Sequence, residues 1–435
     1  MLTAPQGTEH SGLFSPLDLA SRGSVTAAVS GGSDSTALLL LLKLHLDRFS
    51  PTTRFVAVTV DHALRPESAD EAAAVARLCA GIGVAHRVLA WTGDKPATGL
   101  AAAAREARHR LLAEAAVTEN TDLVLTGHTA DDQAETVLMR RERGDADADG
   151  RGLAGIAPAT LFDGRTWFAR PLLGARRETL RDFLRQRNVG WSDDPTNLNQ
   201  RYERPRVRRK LAGEDGDAAV VEALAVAADA ARRRERLGDA AAALIREHAD
   251  RPAPGLLRLQ PDFFEARPDA AIYALRILLA VTGGARHLPD EARAAALHAR
   301  LAAGGQVRAV LSRTLVDRRK TGVFLLREAR NLPEADDLDA HIWDGRYRIA
   351  GPSEPPAGDR SFVYGEKGPV PETLLHLAAA AQPELPAGRT AVPVLAPWAR
   401  FLPSFDLAPA RAAAELIGAP QIPAPPFREH IESKA

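Results

Sequence analysis

The chain has 435 residues, of which 45% are hydrophobic and 26% are charged. This composition excludes a disordered or fibrous protein, and the length is sufficient for two or three globular domains. The 56 basic and 56 acidic side chains balance, so a nucleic-acid partner would have to bind a local basic patch.

The N-terminal segment, residues 1–22, is predicted to be a tail. It has neither the basic stretch nor the apolar stretch of a secretion signal, and no apolar run in the chain approaches the ~20 residues that cross a bilayer. We therefore expect a cytoplasmic protein that makes no membrane contact. The only cysteine, Cys79, excludes an internal disulfide, and we expect it to pack within a helix.

Residues 23–215 are predicted to form an α/β domain. Short apolar runs rich in β-branched residues alternate there with longer helical stretches, which is the pattern of a parallel sheet with crossover helices. We expect a five-stranded, doubly wound sheet of order 3-2-1-4-5, with ligands beyond the carboxyl ends of its strands. The predicted strands are residues 25–29, 55–60, 87–91, 123–126 and 167–170. The predicted helices are residues 34–48, 68–80, 100–116, 131–141 and 176–187.

A phosphate-binding loop is predicted where the first strand meets the first helix. Its sequence is SGGSDS. Its glycines let a ligand approach the backbone closely, and the N-terminus of the following helix attracts anions. No Gly-Lys-Ser/Thr follows, so the loop is not a Walker A motif, and a capped turn without a ligand is the alternative. The predicted nucleotide-binding residues are Ser30, Gly31, Gly32, Ser33, Asp34 and Ser35.

A second polar cluster, which contains His128, Asp131 and Asp132, follows the fourth predicted strand. In the expected strand order this cluster faces the loop, and paired carboxylates opposite a polyphosphate favour Mg²⁺ binding and proton transfer. Asp131 is the candidate Mg²⁺ ligand; alternatively, one of the two carboxylates only caps its helix. Arg105 and Arg108 lie on one face of the preceding helix, where a solvated face is the alternative to phosphate binding.

A basic segment at residues 200–210 is the candidate RNA site, because clustered cations neutralise phosphates. A solvated charged face is the alternative. The residues predicted to bind RNA are Arg201, Arg204, Arg206, Arg208 and Lys210.

The rest of the chain is predicted to form a helical domain at residues 216–330 and a C-terminal region at residues 331–435. A polar, glycine-bearing stretch precedes an alanine- and arginine-rich helical sequence, which places a boundary near residue 215. Prolines are frequent after residue 331 and periodicity is weak, so the fold of the C-terminal region is left open.

Seven short motifs are spread over residues 25–211. They are SGGxDS at residues 30–35, VDHxLR at 60–65, ARxxR at 104–108, GHxxDDQxET at 127–136, GLAGI at 152–156, and WxxDPTN at 191–197 followed by RxRxR at 204–208. These motifs resemble those of the PP-loop ATP pyrophosphatases, and in particular the tRNA(Ile)-lysidine synthases. The resemblance implies that ATP is split into AMP and pyrophosphate, with ATP and Mg²⁺ as cofactors. It makes Asp132 the preferred catalytic carboxylate, with Asp34, His128 and Arg105 as further catalytic candidates.

The reaction implied by this resemblance is the formation of a carbon–nitrogen bond. The wobble cytidine of a tRNA(Ile) with a CAU anticodon is adenylated at C2, and free L-lysine then displaces AMP to give lysidine. The implied partners are that tRNA and lysine, and a homodimer is compatible with the sequence. Two alternatives stay open: another PP-loop amidating enzyme, or a protein that binds adenine nucleotide without catalysis. Sulfur-inserting relatives need paired cysteines or an iron–sulfur cluster, which disfavours them for a chain with one cysteine.

The sequence departs from this family pattern in three places. His109 stands where tyrosine is usual, Pro205 stands where asparagine is common, and residues 143–150 replace a glycine-rich turn. None of these changes touches the predicted phosphate-binding loop.

Overall fold

The fold was obtained as a computed structural model. It describes residues 12–62, 68–93, 95–144, 151–192, 203–213, 215–333, 342–351 and 369–428. The chain divides into two compact units, Met1–Ala231 with Ala424–Ala435, and Arg232–Pro423. Within the described ranges, none of the helices is both long and apolar enough to span a bilayer.

The first unit contains a sheet in which five strands run parallel. Its order is β5-β6-β4-β1-β2-β3, so the predicted order 3-2-1-4-5 of the parallel strands is confirmed. All five residues of β1 are buried, as expected for a central parallel strand covered on both faces. The strands are β1 (Ser24–Ala28), β2 (Arg54–Asp61), β3 (Ala85–Ala90), β4 (Leu123–Leu125), β5 (Ala159–Phe162) and β6 (Thr166–Ala169).

Strand β5 was not predicted. It pairs antiparallel with β6 across a short connection. Asp163 and Gly164 in this connection have φ values of 50° and 69°, and an Asp-Gly pair with positive φ is a strong local hairpin signal. The strand has only four residues, so its apolar pattern was too short to be recognised without that turn.

The helices of the first unit connect these strands, and the predicted helices are confirmed with small shifts at their ends. Helix α1 buries its leucine run, Leu38 to Leu42, and packs against α5. Cys79 is buried in α2, as expected, and burial raises the pKa of its thiol to about 11. The helices are α1 (Ser33–Phe49), α2 (Ser68–Gly81), α3 (Leu100–Thr118), α4 (Ala130–Glu142), α5 (Arg177–Arg185), α6 (Glu203–Leu211) and the first part of α7 (Gly216–His248).

The second unit contains a five-stranded antiparallel sheet that the sequence analysis did not predict. Its order is β7-β8-β11-β10-β9, and it lies within residues that were expected to be helical. Strand β11 is buried at all six positions, so it lacks the apolar–polar alternation by which a half-buried strand is recognised. The five strands are β7 (Ala249–Ala253), β8 (Leu256–Leu259), β9 (Arg308–Leu311), β10 (Thr314–Arg319) and β11 (Gly322–Arg327).

Helices complete the described part of the second unit. Helix α8 is buried along most of its length, and it contacts both β10 and β11. The predicted boundary near residue 215 falls at the start of α7, whereas the compact units divide within that helix; the domain limits stay predictions. The remaining elements are α8 (Pro268–Gly283), α9 (Glu291–Ala302), β12 (Tyr347–Ala350), α10 (Glu372–Ala380), β13 (Thr390–Pro393), β14 (Phe401–Pro403) and α11 (Leu407–Ile417).

Candidate active site

The predicted phosphate-binding loop lies between β1 and α1. Gly31 has φ of 87°, a conformation that favours glycine, and its carbonyl accepts a 2.9 Å hydrogen bond from the backbone N–H of Ser192. The Ser35 hydroxyl accepts from the backbone N–H of Ser30 and donates to the Gly32 carbonyl, both at 3.1 Å. No side chain caps the N-terminus of α1. The helix start is therefore available to an anion.

The loop forms one wall of a cavity of about 320 Å³. Gly127, at the end of β4, allows the opposite wall to approach, because a Cβ at that position would lie 2.9 Å from the Asp34 carbonyl oxygen. The pairing of β1 with β4 thus brings the predicted phosphate-binding loop next to the polar cluster that follows β4. The cavity is lined by Ser30, Gly32, Ser33, Asp34, Ser35, Arg108, Gly127, His128, Asp132, Arg177, Arg181, Ser192, Arg204 and Arg208.

Arg177, at the start of α5, connects three carboxylates around this cavity. Its guanidinium lies 3.0 Å from Asp34, 3.2 Å from Asp132 and 3.2 Å from Glu135. The three carboxylates raise the pKa of Arg177 above its ordinary value, against the opposing effect of burial. The sequence analysis missed both Arg177 and Glu135. The available signal was the position of Arg177 beyond the carboxyl end of the fifth parallel strand, where ligands bind in such sheets.

The two candidate catalytic carboxylates have different environments. Burial raises the pKa of Asp34, and the charge of Arg177 only partly opposes this. Burial also acts to raise the pKa of Asp132, but the charge of Arg177 and the hydrogen bond from the backbone N–H of Thr129 outweigh it and lower that pKa overall. The surroundings of Asp132 therefore favour its ionised form, whereas burial disfavours the ionised form of Asp34.

Asp132 also caps its own helix. Its carboxylate accepts from the backbone N–H and the hydroxyl of Thr129, both at 2.9 Å, and Thr129 caps the same turn in return. This reciprocal arrangement is a capping box. Asp132 thus combines the capping role that was expected for one of the pair with a place in the cavity.

The Mg²⁺ role predicted for Asp131 is not supported by the geometry. Its carboxylate accepts a 2.7 Å hydrogen bond from the backbone N–H of Arg177 and lies 3.3 Å from the Arg176 guanidinium. Asp131 stabilises the N-terminus of α5, where a negative charge is favourable. It does not line the cavity.

His128 lies at the cavity in a neutral form. Burial first, and then the charge of Arg170, lower the pKa of its imidazole to about 3. Its Nδ1 lies 3.0 Å from the Thr126 hydroxyl. A neutral imidazole has one nitrogen that donates and one that accepts a hydrogen bond, so His128 can orient a reacting group.

The basic segment on α6 has two faces. Arg204 and Arg208 lie 3.1 and 2.8 Å from Glu135, whose side chain is only 1% exposed, and both arginines line the cavity. They therefore line the candidate active site, whereas the sequence analysis assigned them to tRNA binding, and that assignment stays a prediction. Arg206 is exposed, and Lys210 pairs with Glu142 at the surface. Spacing by four residues on a helix explains why Arg204 and Arg208 share a face.

Arg105 lines a second, smaller cavity next to the first. Arg108 and His128 line both cavities. Of the two arginines considered for phosphate binding, Arg108 is therefore the one that lines the same cavity as the predicted phosphate-binding loop. Other residues singled out from the sequence lie outside the described residues: Arg201, Tyr202, Leu64, Arg65 and residues 145–150 and 193–197.

Comparison with known proteins places this geometry in a family. A family model described as the PP-loop domain matches residues 8–214. The tRNA(Ile)-lysidine synthase of Mesorhizobium japonicum is 55% identical to this chain, over 96% of this chain and 97% of that protein. The enzyme of the same name from Brucella ovis is 41% identical, over 82% of this chain and 79% of that protein.

Among solved structures, the U34-tRNA thiolase NcsA of Methanococcus maripaludis has a TM-score of 0.43 and 16% identity, and the match covers 51% of this chain and 77% of that one. The relatives from Mesorhizobium japonicum and Brucella ovis match both compact units, whereas the PP-loop match covers the unit that holds the cavity. The chain belongs to the tRNA(Ile)-lysidine synthase family.

Proposed function

We propose that this protein uses ATP to attach free L-lysine to the wobble cytidine of a tRNA(Ile) with a CAU anticodon. The observation that carries the proposal is the cavity in which the SGGSDS loop faces Asp132 and Arg177, in a chain of the tRNA(Ile)-lysidine synthase family. A protein that only binds nucleotide has no need of ionised carboxylates at this position.

The first step is adenylation of the cytidine. Its C2 oxygen attacks the α-phosphorus of ATP, an oxygen–phosphorus bond forms, and the bond to pyrophosphate breaks. The N-terminus of α1 and the serines of the loop would bind the phosphates, since backbone N–H groups and the helix dipole stabilise anions. Arg204 and Arg208 line the same cavity and would neutralise charge on the departing pyrophosphate.

Mg²⁺ fits the donor set of this cavity. Mg²⁺ is usually bound through one or two carboxylates together with substrate phosphates, and Asp34 and Asp132 both line the wall. The described residues contain no group of three or more His, Cys, Asp or Glu that could hold a metal alone. This suits an ion shared with ATP, which would offset charge on the phosphates when bound.

The second step transfers lysine. The neutral ε-amine attacks C2 of the adenylated cytidine, a carbon–nitrogen bond forms, and the bond from C2 to the AMP oxygen breaks. The attacking nitrogen must lose a proton, and Asp132 is the carboxylate held ionised beside the cavity. His128 would orient the reacting groups through its hydrogen-bonding nitrogens.

The outer face of α6 is the part of the basic segment that we propose for tRNA binding. Arg206 and Arg209 are exposed there, and Lys210 is 68% exposed, so their charges can reach RNA phosphates. Arg201 stays a predicted tRNA contact. We propose the cytoplasm as the compartment, since the substrates are tRNA, ATP and free lysine.

The test is to incubate the purified protein with labelled lysine, ATP, Mg²⁺ and individual tRNAs. We expect lysine to enter the tRNA(Ile) with a CAU anticodon and no other tRNA, with AMP and pyrophosphate as products. Incorporation of ammonia in place of lysine would reject the acceptor. Release of ADP and orthophosphate would reject adenylation itself.

A further inference from the structure

The second unit contains a cavity of its own, with a volume of about 720 Å³. Clefts that hold drug-sized ligands are commonly ~300–1,000 Å³, so this space is large enough for a whole small molecule. Its walls come from β7, β8, β12, β13 and the C-terminal ends of α8 and α11. All of the residues that line it belong to the second unit, and none of them lines the nucleotide cavity.

The walls of this cavity are largely aliphatic. Tyr347 is the one aromatic residue that lines it within the described ranges, and the Arg346 guanidinium lies over its ring, 5.2 Å from the ring centroid. A nucleobase would therefore find little ring surface on which to stack, whereas a hydrocarbon chain would lose its contact with water along these walls. Five branched aliphatic side chains line the cavity: Leu257, Val281, Val392, Val394 and Ile417.

The charged residues that line the cavity are all basic. Three of them are arginines, and no Asp or Glu lines it in the part of the chain that the structure describes. One of these arginines, Arg346, does contact a carboxylate, because its Nε donates to Asp344 at 2.6 Å. However, the buried Asp344 carboxylate also accepts hydrogen bonds from Arg313 and Arg327. One negative charge is therefore shared among three cations.

Arg346 directs part of this excess charge to the cavity. It is only 5% exposed, and Gly284 lets it approach the end of α8, since a Cβ at Gly284 would lie 2.8 Å from the Arg346 Cγ. Its Nη2 donates to the Ala381 carbonyl, which leaves Nη1 without a hydrogen bond to the described residues. Burial lowers the pKa of Arg346, although Asp344 acts to raise it. Burial of this cation is therefore only partly compensated.

A second hydrogen-bond donor without a partner lies in the same wall. Thr282, in the last turn of α8, lines the cavity and is 8% exposed. Its Oγ1 is buried and forms no hydrogen bond with the described residues, although a helical threonine can donate to a carbonyl of the preceding turn. Buried hydroxyl groups normally have a partner, so this one indicates a ligand that accepts a hydrogen bond.

We propose that this cavity binds a small aliphatic carboxylate, whose two oxygens accept hydrogen bonds from the Nη1 of Arg346 and the hydroxyl of Thr282. Two donors match the two oxygens of a carboxylate, and an arginine favours this planar, charged acceptor. The hydrocarbon chain would then lie along the aliphatic walls. This inference goes beyond the proposed function and does not rest on it, because the residues that carry it all lie in the second unit.

The first test is a calorimetric titration of the full-length protein with hexanoate, octanoate, decanoate and octan-1-ol. We expect the affinity of the carboxylates to rise about fourfold for each added CH₂ group, because each group is removed from water. Octanoate should bind about ten- to a hundredfold more tightly than octan-1-ol, which has the same chain without the charge, because hydrogen bonds to charged groups are the stronger ones.

Two variants assign this binding to the cavity. Thr282→Val removes the hydroxyl at nearly constant volume and should weaken octanoate binding about tenfold, with little change for octan-1-ol. Arg346→Gln should weaken octanoate binding about ten- to a hundredfold. Arg348→Gln is the matched control, because it removes the same charge two residues away from a side chain that does not line the cavity. If Arg346→Gln unfolds, which circular dichroism would show, Thr282→Val still decides, because its hydroxyl has no hydrogen bond to lose.

Three results would overturn the inference. Equal affinities for octanoate and octan-1-ol, or an octanoate affinity that neither Thr282→Val nor Arg346→Gln changes, would show that the cavity does not recognise a carboxylate. Tighter binding of AMP than of octanoate, lost in Arg346→Gln, would assign the cavity to a nucleotide. Displacement of octanoate by tRNA, with weaker tRNA binding in Arg346→Gln, would assign its arginines to RNA phosphates.

Discussion

Two groups of arginines line the candidate active site, and they differ in whether the protein supplies their counter-ions. Arg177, Arg204 and Arg208 contact carboxylates of α1 and α4. Arg105, Arg108 and Arg170 line a cavity with no Asp or Glu among the described residues. The first group is held in place before any ligand binds. The second group has no carboxylate beside it in that cavity, and Arg170 is held by hydrogen bonds to neutral groups.

This difference shows that a run of basic residues does not by itself reveal which side chains reach the candidate active site. Helix α6 carries four arginines and a lysine, yet Arg204 and Arg208 contact Glu135 of α4. A buried carboxylate from another segment, and not the local sequence, decides which cations serve the active site and which stay available to RNA.

The largest expected effect is the loss of turnover when Asp132, one of the carboxylates that contact Arg177, is replaced. In Asp132→Asn we expect kcat to fall by about 10²- to 10⁴-fold, the usual contribution of a positioned acid or base. Asparagine can still accept the capping hydrogen bonds, so the fold should persist. Lysine transfer to tRNA in a single turnover, compared with adenylate formation from tRNA and ATP alone, checks this result.

Asp131→Asn is the control for that experiment, because Asp131 lies outside the cavity at the start of α5. Its kcat should stay within a few-fold of the wild type. Equal losses in both variants would restore Asp131 as a functional residue, and wild-type turnover by Asp132→Asn would remove Asp132 from the mechanism.

A second prediction compares how much each group of arginines contributes to the free energy of unfolding of the protein. Glu135→Gln should cost about 2–3 kcal/mol of the free energy of unfolding. Loss of a buried partner costs ~3–5 kcal/mol, but Arg204 and Arg208 are partly exposed and water compensates them. Arg105→Gln should cost nothing or stabilise the protein slightly, since it removes repulsion among unpaired cations. Urea denaturation without ligands measures both; destabilisation by Arg105→Gln similar to that of Glu135→Gln would contradict the distinction.

A third prediction concerns pH and His109, which lines the smaller cavity together with Arg105, Arg108 and Arg170. Burial lowers the pKa of His109 to about 4, with the charges of Arg105 and Arg108 adding to the effect, whereas an unfolded histidine titrates near 6.5. The unfolded chain therefore binds more protons below pH 6.5, so His109 contributes stability that is present above that pH and is lost as the pH falls towards 4. By pH 5, His109 has lowered the free energy of unfolding by about 2 kcal/mol relative to its value above pH 6.5.

The variant that isolates this contribution is His109→Tyr, which introduces the residue that is usual at this position in the family. The change in unfolding free energy between pH 7.5 and pH 5 should be smaller in the variant by about 2 kcal/mol. Because the comparison is between two pH values, any effect of the larger tyrosine ring on the free energy of unfolding that does not depend on pH cancels. An identical pH dependence in both proteins would show that the His109 imidazole is not held neutral.

The sequence was sufficient for the features that are local in the chain. The SGGSDS loop, the parallel strand order and the polar cluster at the end of β4 follow from strand ends and glycine positions, because neighbouring parallel strands bring their carboxyl ends together. It was insufficient where distant segments meet. Arg177 becomes central only because α5 packs on α1, and the sheet around β11 was missed because a fully buried strand has no alternating pattern.

The smallest expected effect separates the two faces of α6. Arg208→Ala should raise the KM for ATP and leave tRNA affinity nearly unchanged, because Arg208 contacts Glu135 in the cavity that we propose for ATP. Arg209→Ala removes the same charge one residue away on the exposed face, and there we expect only a modest loss of tRNA affinity. The slope of log K for tRNA against log salt should become shallower by roughly 0.7 to 0.9 for a lost phosphate contact, because fewer condensed counterions are released. The KM for ATP should stay constant in that variant. A reversed result, with the salt dependence changed by Arg208→Ala and unchanged by Arg209→Ala, would mean that α6 turns its other face to the RNA.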